Sequence, residues 1–82
     1  MRYRAQPVEI EAIMWRGQLA DIPAHWDADA FDLDRDGEAL IIQTLEGPAR
    51  AIVGHHWVAR GTAGEYYPIR VDVFATKYEE AA

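Results

Sequence analysis

Apolar and polar residues alternate from Val8 to Met14, where Val8, Ile10, Ala12 and Met14 are separated by Glu9, Glu11 and Ile13, the period of a half-buried strand. Ile13 and Trp15 fall on the glutamate side, so the end of this strand is expected to be covered on both faces. Pro7 has no N–H to give a ladder and belongs at the start or edge of the strand. After Gly17 the period changes: Leu19, Ile22 and Trp26 are spaced by three and four. This predicts a short helical segment near residues 18–26, with one turn before Pro23 and another beginning near it.

Strand periodicity then returns. Phe31 and Leu33 alternate with Asp32 and Asp34, Asp36-Gly37 is a hairpin signal, and Ala39 to Ile42 is an apolar run. Gly47-Pro48 marks the next turn. Ala49 to Val53 and His56 to Arg60 follow as two short strands, or as one strand interrupted at Gly54. Gly61 to Gly64 is a turn, and Glu65 to Val71 is an aromatic strand that Pro68 places at a sheet edge. Asp72 is read as capping a single helical turn before a terminal strand, with Val73 or Phe74 and Tyr78 toward the core and residues 79–82 frayed. The pattern predicts an α+β, mainly β fold, a small antiparallel meander or partly open barrel.

At 82 residues the chain has room for a single core, so residues 1–82 are read as a single small globular domain. Disulfides, thiolate metal sites and cysteine nucleophiles are excluded by the lack of cysteine. The longest apolar run is only a few residues, and the start, MRYRAQPVEIEA, has no signal-peptide stretch. A cytoplasmic protein without membrane attachment is therefore expected.

The formal net charge of −6 is concentrated in one segment. Residues 27–38 hold Asp27, Asp29, Asp32, Asp34, Asp36 and Glu38 against Arg35 alone, and the rest of the chain is nearly neutral. Without a basic stripe, duplex nucleic acid is not an expected partner. The acidic segment reads either as a solvated face or as a surface for a basic protein. Asp32, Asp34, Asp36 and Gly37 also match the first half of a calcium loop, but Gln43 stands where the bidentate glutamate belongs, so no metal is expected.

Neither histidine pairing nor hydroxyls supply a reaction. Neighbours in a strand point to opposite faces, so His55 and His56 cannot close on one ion, and His25 reads as a boundary residue. The chain has no serine, and no spacing among Glu46, Glu65, His55 and His56 demands an acid–base scheme. A non-enzymatic protein without a cofactor is expected.

In order and spacing, QPVEIEAIMWRG, TLEG, GHHW and GEYYPIRVDVFATKYE resemble a widespread family of small uncharacterised proteins of tailed phages and prophages. Those proteins begin with a lysine-proline-valine strand ending in tryptophan and glycine. They continue through a threonine-leucine-glutamate-glycine segment, a glycine-aspartate-tryptophan step and a glycine-x-x-glycine-glutamate-x-tyrosine-proline turn to a terminal phenylalanine-x-x-threonine-tyrosine-glutamate. Gln6 replaces the usual lysine, and His55 stands where aspartate is expected. The shared positions, such as Trp15, Gly47, Trp57, Gly64 and Pro68, are turn glycines and strand aromatics, so the resemblance implies a phage source and no mechanism.

Two functions follow as expectations. The first is a phage accessory protein that binds a host or phage protein, in its concrete form an anti-defence inhibitor of the anti-CRISPR type. Its acidic surface would be Asp27, Asp29, Asp32, Asp34 and Asp36, with Trp26 as an apolar anchor. The alternative is a small-ligand or nucleotide-binding module that sequesters its ligand, perceived in Arg60, Glu65, Tyr67 and Arg70, whose guanidinium groups and rings suit a phosphate or a base. An exposed strand edge also allows a homodimer by strand pairing.

Overall fold

The structure, a computed structural model, describes residues 1–3 and 8–79. The expected positions of Gln6 and Pro7, and the expected fraying of residues 80–82, lie outside the described residues. Six strands form two three-stranded antiparallel sheets. The first contains β1 (Glu11–Met14), β5 (His56–Arg60) and β6 (Tyr66–Arg70) in the order β1-β5-β6. The second is the meander β2 (Phe31–Leu33), β3 (Ala39–Thr44) and β4 (Gly47–Ile52), in the order β2-β3-β4. One helix, α1 (Val71–Lys77), follows β6. The fold is α+β and mainly β, with two open sheets in place of a closed barrel.

Local chemistry sets each turn. Asp36-Gly37 closes the β2–β3 hairpin with Gly37 at φ +72°, and the Gly37 N–H donates to the Asp34 carbonyl, 3.0 Å. The β3–β4 turn is Leu45-Glu46, two residues earlier than Gly47-Pro48 suggested. Thr44 explains the shift: its hydroxyl accepts the Glu46 N–H, 3.1 Å, and donates to the Gly47 carbonyl, 2.6 Å, while Gly47 supplies φ +105°. Gly54, at φ +78°, turns the corner from β4 to β5. These two strands belong to different sheets, which excludes the single interrupted strand.

The sheets pack face to face. Ile13, Val58 and Tyr66 of the first meet Phe31, Leu33, Leu40, Ile42 and Ala51 of the second, with Trp15 and Trp26 completing the cluster. Trp15 is fully buried, and its indole N–H donates to the Glu38 carbonyl, 3.1 Å, tying the end of β1 to the β2–β3 hairpin. The end of β1 is thus covered on both faces, as its pattern indicated, with the main core on the glutamate side. Register pairs Ile13 with Val58 and Met14 with Trp57, so Ile13 and Trp15 face the sheet–sheet core while Val8, Ile10, Ala12 and Met14 share the outer face.

That outer face is covered in part by α1. The Phe74 ring stacks on Trp57 at 4.0 Å with an 8° interplanar angle, and Tyr78 continues the stack at 5.1 Å from Phe74. Here the chain continues as a helix to Lys77, and the expected terminal strand is absent among the described residues. Arg70, not Asp72, occupies the N-cap position. The β-branched residues Val71 and Val73 disfavour a helix only by tenths of a kcal/mol, roughly, and burying Phe74 against Trp57 outweighs that preference.

Between β1 and β2 the chain makes two single 3-10 turns, Leu19–Asp21 and Ala28–Ala30, and a turn from Pro23 to Trp26. The short helical segment near residues 18–26 is thus split at the proline, as its spacing indicated. β6 is an edge strand, which accommodates the missing N–H of Pro68. No helix among the described residues is long and apolar enough to cross a membrane.

Candidate functional site

The acidic segment forms one border of the second sheet. β2 is the edge strand, Asp27 and Asp29 precede it, Asp32 lies within it, and Asp34 and Asp36 follow it into the hairpin. Asp27 anchors the approach to β2: its carboxylate accepts the Asp29 N–H, 3.0 Å, and its own N–H donates to the Tyr66 hydroxyl, 2.8 Å. That hydroxyl belongs to a buried tyrosine whose ring sits edge-on to Phe31 at 4.8 Å.

The five aspartates divide by environment. Asp34 is drawn inward, where its carboxylate accepts the N–H groups of Glu38 and Ala39 and binds the Arg50 guanidinium at 2.6 Å. Burial alone pushes its pKa up, but those hydrogen bonds and the arginine charge outweigh it and hold the carboxyl below its usual value. Asp34 is a hairpin clamp. Asp27, Asp29, Asp32 and Asp36 are exposed, and no cation among the described residues pairs with them.

Trp26, expected as an exposed anchor beside these acids, is instead a core residue. It is 4% exposed, lies 5.9 Å from Phe31 and 5.4 Å from Tyr66 ring to ring, and donates its indole N–H to Glu11, 2.5 Å. The exposed ring of His25 pairs with the same carboxylate at 2.8 Å. The indole hydrogen bond first, and the histidine second, hold Glu11 below its usual pKa. An apolar side chain does border the acids, but it is Leu45, 85% exposed at the tip of the β3–β4 turn. A groove of about 330 Å3 joins Leu45 to Asp27, Asp29, Glu65 and Tyr66. Sequence reasoning passed over Leu45 as part of the TLEG turn; the signal was a leucine in a two-residue loop, a place polar residues normally occupy.

The second predicted set does not converge. Arg60 pairs in register with Glu11 and Tyr66, and Arg70 pairs with His56 at the far end of the same strands. Alternation sends Tyr67 to the opposite sheet face from both arginines, where burial first and its contacts with Tyr78 second raise its pKa. Glu65 folds onto its own turn, accepting the Ala63 N–H at 3.0 Å, and Arg70 is bound to Asp72 at 2.8 Å. His56 is also engaged: its Nδ1 accepts the Ile52 N–H, 3.0 Å, closing the corner at Gly54. Among the described residues no three His, Cys, Asp or Glu side chains gather in a way that could hold a metal ion.

No family model matches the chain, and neither a curated protein nor a solved structure matches it.

Proposed function

We propose that this protein is a non-enzymatic accessory factor of phage type that binds a basic protein surface through the β2 border, with inhibition of a bacterial defence protein as its concrete form. The observation that carries this reading is the division of the aspartates. Folding draws only Asp34 inward, whereas Asp29, Asp32, Asp36 and Asp27, which also caps the Ala28–Ala30 turn, remain exposed along the border, and the apolar Leu45 stands beside Asp27 and Asp29. Such a border offers both parts of a protein interface, a charged surround that speeds and selects association and an apolar side chain to bury at its centre. The motif resemblance supports the phage setting. An acidic border also guards an edge strand against pairing, so the test must separate binding from protection.

The experiment is affinity capture from lysate of the bacterial host, comparing the natural protein with an Asp29→Lys/Asp32→Lys/Asp36→Lys variant and with Leu45→Asp. The expected result is one enriched protein with a basic surface, lost with both variants and weakened by raised salt. Retention of every captured protein by the charge-reversed variant would refute the assignment.

A further inference from the structure

The regular apolar stripe Val8, Ile10, Ala12 lies on the face of β1 and its approach that the sheet–sheet core does not use. Val8 is 62% exposed, and Ile10 and Ala12 are half-buried. Together with Trp57, Phe74 and Tyr78 they line a groove of about 490 Å3 between the β1 edge and α1. Among the described residues, the ionisable carboxylates on its lining are Glu9 and Glu79, both exposed, and no lysine or arginine lines it.

From this combination we infer that the groove binds a small amphipathic organic cation. Three observations select that class. The volume falls in the range of about 300–1,000 Å3 typical of small-ligand sites. The Trp57–Phe74–Tyr78 stack lines it with aromatic rings, whose negative faces attract a positive charge where the two end rings, Trp57 and Tyr78, are left uncovered by the stack, and the aliphatic floor of Val8, Ile10 and Ala12 accepts an apolar body. Glu9 and Glu79 then set the sign: an anion of the same size meets two like charges, whereas a cation meets complementary ones. The groove lies on the outer face of the first sheet, away from the β2 border, and its occupancy does not depend on the protein partner proposed above.

The test is a titration followed by the backbone and indole N–H resonances of the full chain, with benzyltrimethylammonium as the cation and benzenesulfonate as an anion of similar size. Trp15 and Trp26 are buried, so the Trp57 indole is the reporter. The expected result is a saturable shift of Trp57 and of the Val8–Ala12 amides with the cation alone. Affinity should fall about threefold or more in a Glu9→Gln/Glu79→Gln variant, whose exposed substitutions leave the fold intact. No saturable shift at tens of millimolar cation, equal shifts with the anion, or unchanged affinity in the double variant would each overturn the inference.

Discussion

Replacing Trp26 with alanine tests the division between core and surface on which the binding proposal rests. The side chain is 4% exposed and packs between Phe31 and Tyr66, and its N–H is donated to Glu11. Truncating a buried tryptophan removes its transfer free energy and leaves a cavity, at a cost of about 3–5 kcal/mol. A chain of 82 residues has a total stability on the order of 4–12 kcal/mol, so the variant should be close to unfolding. In a thermal melt the midpoint should fall by more than about 12 °C, since 1 kcal/mol shifts a domain of this size by roughly 4–8 °C. Urea titration at neutral pH gives the free energy directly, with Trp26→Phe as the companion that keeps an aromatic ring between Phe31 and Tyr66 and deletes only the N–H and part of the area. Alanine should cost at least twice what phenylalanine does. If Trp26→Ala loses less than about 1 kcal/mol, the residue is a surface group after all and the core described above is wrong. Partner capture gives an independent check, because Trp26→Phe should retain it and Leu45→Asp should not.

Three further outcomes follow from individual contacts. Burial, with His55 and Arg70 nearby, lowers the pKa of His56, whose Nδ1 must be unprotonated to accept the Ile52 N–H. The fold therefore binds that proton less well than the unfolded chain, and the stability it confers is complete above about pH 6.5 and is lost as pH falls below it. Urea midpoints between neutral and mildly acidic pH should decline less steeply in His56→Gln, and parallel declines would show that the corner does not titrate. Glu11, held low by Trp26 and then His25, contributes above about pH 4.3 and loses that contribution on further acidification, so Glu11→Gln should flatten the acid end of a melting-temperature profile. Gly47→Ala, at φ +105°, should cost about 1–2 kcal/mol in the same urea titration, and a neutral result would contradict the Thr44–Gly47 turn geometry.

Turns and strands were legible where one residue type carries a local reason: Asp36-Gly37 for the first hairpin, Pro68 for an edge, the break at Pro23. Faces were harder. Val8, Ile10, Ala12 and Met14 gave a clean alternation, yet Ile13 and Trp15 hold the main core, because a strand between a sheet and a helix has apolar neighbours on both sides. Periodicity reports that a face is covered, not by what. The helix at Val71–Lys77 was hidden for a related reason: it is short, rich in β-branched residues, and held by Phe74 stacking on a tryptophan in a strand distant along the chain. At the site, the acidic composition was readable and its division was not. Only the register Ile41 opposite Arg50, which puts the arginine within reach of Asp34, separates the clamp from the exposed aspartates.

The register of β1 also bears on how the chain is made. β2, β3 and β4 pair with their neighbours in sequence, and so do β5 and β6, but β1 joins Glu11 to Arg60 and Met14 to Trp57, 49 and 43 positions away. Closing so long a loop is unfavourable until the rest of the first sheet exists, so β1 is synthesised before its partner and docks after it. In the interval a run of apolar residues from Val8 to Trp15 waits without a partner. Glu9 and Glu11 interrupt that run at alternate positions, and their charge keeps two nascent chains from pairing through it. Glu11 later exchanges this guarding role for its bond to Trp26, whereas Glu9 stays in water.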